Sequence, residues 1–206
     1  MASVALFAAG SVSLGSPPTV DESPGAVVAW FHDHGDAARF YAWTATLGAL
    51  SFAVAAAIIA GPLPRPYREM FILGAAGLIV ENAVAAWFWA GLALHPRSLE
   101  PSSARLVLDL LTLWGPVLNA ATTTMIGAVT ALGIGRRPVI PRWLTVLGAI
   151  AFAEQFLETI TVLGTHGFAG PGGGMNLVLG PTLVIAWLVG LVVWAARLVS
   201  SPETSP

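Results

Sequence analysis

The sequence predicts an all-α fold: a polytopic bundle of transmembrane helices with six spans, five of them clear and one short at the N-terminus. Two observations predict it. Of 206 residues, 56% are hydrophobic and only 10% charged, and the mean hydropathy is +0.77, far outside the range of soluble domains. The apolar residues also fall into runs of about 20, the length that crosses a hydrocarbon layer of roughly 30 Å.

The first stretch, MASVALFAAGSVSLG, is apolar but at ~1.5 Å per residue extends only roughly 22 Å, so it reads as a short first helix. A cleaved signal peptide is the rival reading, and it would call for a basic n-region that this stretch lacks. Residues 16–40 read as an outward segment that begins as a linker and ends as a helix, with Asp21 or Ser23 as its cap. Residues 41–61, 71–94, 106–133, 143–164 and 177–199 follow as spans. The breaks GPLPRPYRE, HPRSLEPSS and GRRPVIPR combine Pro or Gly with charge, and Pro continues a helix poorly. The glycine-rich THGFAGPGGGMN, read as a mobile outward loop, separates the last two spans. Residues 1–199 then form one transmembrane domain, and 200–206 a disordered cytoplasmic tail.

Orientation follows from arginine, because short cytoplasmic loops retain positive charge. Arg65, Arg68, Arg136, Arg137, Arg142 and Arg197 fall on one side, and Arg39, Arg97 and Arg105 on the other. The arginine-rich side is expected to face the cytoplasm, which puts both termini inside. Trp43, Trp143 and Trp194 near span ends suit the interfacial belt. The absence of Lys and Cys beside abundant Ala, Gly and Arg suggests a GC-rich bacterial gene, and so a bacterial cytoplasmic membrane.

The fifth span opens VIPRWLTVLGAIAF. With the short arginine loops and the helix running into the second span, Pro141, Arg142, Trp143, Leu144 and Gly148 resemble a loose group of uncharacterised bacterial six-span membrane proteins. In that group Pro-Arg-Trp or Pro-Arg-Ile followed by Leu and Gly marks the cytoplasmic start of the penultimate helix. The resemblance covers most of the chain in topology and those five residues in motif. It implies a fold and a topology, and no activity.

Several chemistries are excluded. Without cysteine there is no disulfide, thiolate nucleophile or thiolate metal site. A net charge of −2 with no lysine cluster gives no nucleic-acid surface. GPGGG at 170–174 lacks the Lys and Ser or Thr of a phosphate loop, and no cofactor motif is present. His32, His34, His95 and His166, with Asp33, Asp36 and Asp109 on the same side, offer Zn or Cu ligands. Their spacing matches no metal motif, and solvated loop histidines are the ordinary reading.

The informative residues are polar ones within spans, since a central carboxylate costs about 2.5–3.5 kcal/mol on insertion scales. Glu81 and Glu154 come near the centres of their spans, and Asp109 and Glu158 lie further out. Asp109, Thr112, Pro116, Asn119 and Thr123 step along one face of the fourth span. The expected constellation is Glu81, Asn82, Asn119, Glu154 and Gln155, with Glu158 and Asp109 in a shallower layer. Small residues at four-residue spacing, Ala53, Ala57 and Gly61, then Gly127, Ala131 and Gly135, are expected to be close-packing faces.

No arginine is expected at this depth, so a shared proton, a mobile cation or hydrogen-bonded amides must accommodate the carboxylates. Three functional readings follow. The first is a small transport or ligand-binding protein that takes up protons, a cation or a small apolar ligand. The second is a structural or accessory subunit, whose partners are the bilayer and either copies of itself or a membrane complex. The third is an enzyme acting on a lipid or isoprenoid, with Glu81, Asp109 or Glu154 as acid and base and Trp87 or Trp114 stabilising positive charge. A non-enzymatic role is preferred.

Overall fold

The computed structural model describes residues 2–134 and 139–200, and the side chains of 114–118 and 198–200 lie outside the description. Gly135, Arg136, Arg137, the side chains of Trp114 and Pro116, and the tail from residue 201 therefore lie outside the described residues. Within them the chain is helical and contains no strand. Its α-helices are α1 (Ala2–Leu14), α2 (Pro24–Ala60), α3 (Tyr67–Leu94), α4 (Pro101–Ala131), α5 (Arg142–Glu158) and α6 (Gly180–Ser200).

Four segments among the described residues are long and apolar enough to cross a membrane: Pro24–Ala60, Tyr67–Leu94, Arg142–Leu163 and Met175–Arg197. Large apolar side chains also cover their outer faces, Leu50, Val54, Leu73, Val146 and Phe156 among them. Such a surface suits lipid, and monomeric soluble proteins avoid it. α4 has 31 residues, a length of roughly 46 Å at ~1.5 Å per residue. α1 has 13 residues.

The segment 16–40 contains more helix than its sequence suggests. α2 starts at Pro24, a residue suited to the first helical position, and Ser23 Oγ accepts the Ala26 N–H at 3.3 Å. The helix continues through a kink at His34, where φ is −119° and ψ 16°. Its buried face is one continuous stripe that includes Val27, Phe31, Ala38, Ala42, Ala45, Ala49, Phe52 and Ala56, in steps of three, four and seven.

Two apolar cores stack along the bundle. The first gathers Leu14, Val27, Phe31, Trp89, Leu92 and Leu108 from α1 and from the adjoining halves of α2, α3 and α4. The second gathers Phe52, Phe71, Met125, Val129, Leu144, Trp187 and Leu191 from the opposite halves of α2, α3 and α4 together with α5 and α6. Trp194 belongs to this second core at 8% exposure, so of the three expected interfacial tryptophans only Trp43 and Trp143 are exposed.

Close helix approach relies on glycines other than those expected. A Cβ on Gly74 would stand 2.5 Å from the Ala121 carbonyl oxygen of α4, and one on Gly10 of α1 would stand 2.2 Å from Thr44 Oγ1 of α2. Ala57 and Gly61, by contrast, are exposed and make no packing face. Gly127 does meet a neighbour, the ring of Phe152.

Candidate functional site

The polar residues of the mid-helix regions meet between the two cores. A cavity of about 290 Å³ is lined there by residues of all six helices. Its polar wall comprises Glu81 and Asn82 of α3, Asn119 and Thr122 of α4, Gln155 and Glu158 of α5, and Asn176 just before α6. Its apolar wall includes Val4 and Phe7 of α1, Phe52 of α2, Leu78 of α3, and Val184, Ile185 and Leu188 of α6.

Local departures from α-helical geometry place several of these groups. α5 ends at Glu158 and tightens into a 3₁₀ turn over Thr159–Leu163, where the β-branched run TITV favours the α-helix poorly. Ahead of α6, Met175–Leu179 form a wide π turn, closed by the Gly180 N–H on the Met175 carbonyl. Pro181 explains the widening, because it has no N–H for the Leu177 carbonyl and its ring would crowd that oxygen. The π turn carries Asn176, and Gly180 beyond it abuts Glu158: a Cβ there would come 2.6 Å from Glu158 Oε2.

Glu158 is therefore held on both oxygens. Asn176 Nδ2 donates to Oε1 at 2.5 Å and Gln155 Nε2 to Oε2 at 2.7 Å. Gln155 Nε2 also reaches Glu154 Oε2 at 3.0 Å, and the Thr122 hydroxyl lies 2.5 Å from Gln155 Oε1. Asn119 Nδ2 sits 3.5 Å from the Gln155 carbonyl oxygen, and Asn82 Nδ2 donates to the Leu78 carbonyl at 2.8 Å. Glu81 receives no hydrogen bond from any described residue. It lines the same cavity as Glu158.

The glycine-rich stretch before Asn176 is a cluster of hydrogen-bonded turns. Gly170 N–H donates to Gly167 O at 3.1 Å, Gly173 N–H to Gly170 O at 2.9 Å and Met175 N–H to Phe168 O at 3.0 Å. Gly172, at φ +69°, donates its N–H to Asn176 Oδ1 at 3.1 Å. That bond takes the amide oxygen and turns Nδ2 toward Glu158.

Three expectations are corrected. Glu158, expected in a shallower layer, lines the cavity, whereas Glu154 does not. Glu154 sits behind Gln155 at 7% exposure with Oε1 unpartnered among the described residues. Asp109 lies outside the cavity and is ion-paired with Arg105, which also donates to the Thr19 carbonyl at 2.8 Å. A fixed cation thus neutralises this carboxylate, which the sequence reading did not foresee.

Three of the four histidine rings have a local partner. His32 Nδ1 is 3.0 Å from Asp33 Oδ1, and His166 Nδ1 is 2.8 Å from Thr165 Oγ1. His34 stacks on Trp30 and bonds to its carbonyl, while His95 ends α3 and accepts the Ser98 N–H at its backbone carbonyl. No group of three or more His, Asp or Glu suited to a metal ion occurs among the described residues. Trp87 is 73% exposed and faces away from the cavity, whereas Trp89 packs against Trp30, Phe31 and Tyr41.

Comparison with protein-family profiles, with curated proteins and with solved structures finds no match to the chain. Its functional reading therefore rests on the cavity. Sequence reasoning missed Asn176, Thr122 and Gly180. Asn176 carried a usable signal, as an amide immediately ahead of an apolar run, while Gly180 becomes legible only through the close approach of α6 to Glu158.

Proposed function

We propose that this protein is a small transport or ligand-binding protein of the bacterial cytoplasmic membrane that takes up protons or a cation at Glu81 and Glu158. One observation carries the reading: both carboxyl groups line a cavity inside the helix bundle that no Arg or His lines. Glu158 is buried and Glu81 half-buried, and a carboxylate shielded from water without a fixed counterion holds a proton or attracts a mobile cation. Binding sites of membrane transporters commonly lie between helices, at depths where helices depart from regular geometry. The π turn before α6 and the 3₁₀ end of α5 are such departures.

In this reading all six helices span or enter the bilayer, α1 as the short one, and the six-arginine side faces the cytoplasm. Gln155 and Asn176 hold Glu158 in place, while Glu81 is the exchangeable group. Proteoliposomes containing a pH-sensitive dye test this. Glu81→Gln should retain helicity and thermal stability and abolish cation-dependent proton movement. Unchanged movement in that variant rejects the reading.

The two amides satisfying Glu158 favour a second reading, in which the polar layer only joins helices. A stable Glu81→Gln protein with no wild-type proton or cation uptake to lose would support it.

A further inference from the structure

The cavity contains more information than its carboxylates, because the hydrogen bonds around it are directional. The amide nitrogens of Asn82, Asn119, Gln155 and Asn176 all point to protein oxygens. Carbonyl and carboxylate oxygens only accept, so these partners fix which end of each amide is nitrogen. The oxygens of Asn82 and Asn119 receive no donor among the described residues, and neither does Glu81. Each of these nitrogens keeps a second N–H, so the polar end offers two amide oxygens, the remaining N–H groups of their amides, and one carboxyl that receives no donor.

The rest of the lining is hydrocarbon, including Phe52, Val184, Ile185 and Leu188. A bare metal ion would satisfy the acceptors and leave this wall with nothing to contact. A fatty acid would suit the wall, but its carboxylate would stand beside the Glu81 carboxyl, a like charge with no cation in the lining to offset it. The volume narrows the choice further, since 290 Å³ at ~30 Å³ per water-sized group holds roughly ten non-hydrogen atoms.

We propose that the cavity binds an amphipathic ammonium ion of about ten non-hydrogen atoms, with N–H donors on Glu81, Asn82 and Asn119 and its hydrocarbon along Phe52 and α6. This rests on the cation-binding reading above and names its ligand class. Charge on the carboxyl and donors on the amide oxygens select the head, and apolar area selects the tail. α1 packs along α2, and its Val4 and Phe7 line the cavity together with Ile185 and Leu188 of α6. Ile185 is 41% exposed, so the apolar end reaches the outer face of the bundle.

Isothermal titration on the full chain in lipid nanodiscs tests the proposal, with heats of empty discs subtracted. Three probes separate its parts: octylammonium, methylammonium and octanoate. Octylammonium should bind at least about tenfold tighter than methylammonium, the worth of two buried methylenes, and octanoate should give no heat above empty discs. Glu81→Gln should weaken octylammonium binding at least about tenfold. Ile185→Trp, which fills the apolar end from a partly exposed position, should weaken octylammonium equally and so reduce its preference over methylammonium. Octanoate binding as tight as octylammonium overturns the proposal. So does equal affinity for the two ammonium ions, or an Ile185→Trp protein that binds octylammonium like wild type. If proton uptake through Glu81 persists in those cases, only the ligand class has failed. If uptake is absent as well, the cation-binding reading has failed with it.

Discussion

Glu158 accepts an amide on each oxygen, and this makes its substitutions unequal. Glu158→Gln keeps one acceptor oxygen and sets an amide nitrogen against a donor, whereas Glu158→Leu leaves Asn176 Nδ2 without an acceptor and Gln155 Nε2 with Glu154 alone. Each buried donor left unsatisfied costs about 1–3 kcal/mol. Thermal unfolding in detergent should therefore rank wild type above Glu158→Gln and Glu158→Gln above Glu158→Leu; equal midpoints for the two variants would contradict the network. Glu100 is a second test at this scale, outside the spans. Its carboxylate caps α4, accepting the Ser102 hydroxyl at 2.6 Å and the N–H groups of Ser103 at 2.7 Å and Ser102 at 3.1 Å. The Ser102 hydroxyl bond is the largest cause, the backbone bonds add to it, and together they lower its pKa from 4.5 to about 2. The folded value is depressed, so the contribution to α4 is complete above pH 4.5 and is lost as pH falls toward 2. A carbon-13 titration of Glu100 should find its midpoint near 2; a midpoint near 4.5 would show that the cap does not form.

At the scale of elements, helix contacts depend on the absence of single methyl groups. Gly74→Ala would set a Cβ 2.5 Å from the Ala121 carbonyl oxygen and 2.7 Å from the Met125 nitrogen, both backbone atoms that cannot swing aside. α3 and α4 must then separate, at about 1–3 kcal/mol for overpacking, and a wild-type unfolding midpoint for this variant would refute the contact. Gly173 offers a test that reaches the cavity, since its Cβ would meet Gly167 O at 2.2 Å. Gly173→Ala should open the turn cluster and release Asn176 from Glu158. Amide exchange at Asn176 and Leu177, whose N–H groups bond to Gly173 O, should rise while exchange in α3 stays slow. The existence of the apolar helices was legible in the sequence, because hydropathy over 20 residues reports length and composition. Which carboxylate meets Glu81 was not. Glu154 and Glu158 share a face one turn apart, roughly 6 Å along the axis, and the choice between them depends on how far α5 slides past α3. The 3₁₀ and π turns also shift side-chain direction in ways that a fixed period of 3.6 residues misses.

For the whole molecule, topology can be tested directly because the chain has no cysteine. Ser98→Cys lies in the turn between α3 and α4, and Pro62→Cys between α2 and α3; both native residues are exposed. An impermeant maleimide applied to intact cells should label the first and spare the second until the membrane is broken. The reverse pattern would invert the arginine-based orientation. The grouping of Glu81, Asn82, Asn119 and Gln155 was readable from polar residues at matching positions in apolar helices. The ion pair of Asp109 was not, because Arg105 precedes it by one helical turn and was assigned to the span end. The two stacked cores also differ in when they can form. Every buried residue of the first lies within 14–108, whereas the second draws on residues up to Ala195. During synthesis the N-terminal half can pack while the ribosome is still making α5, in keeping with the N-to-C order in which chains become available to fold. Glu158 then emerges before Asn176, the donor that holds its Oε1. A chain interrupted between these two residues would lack the donor that holds Glu158 Oε1.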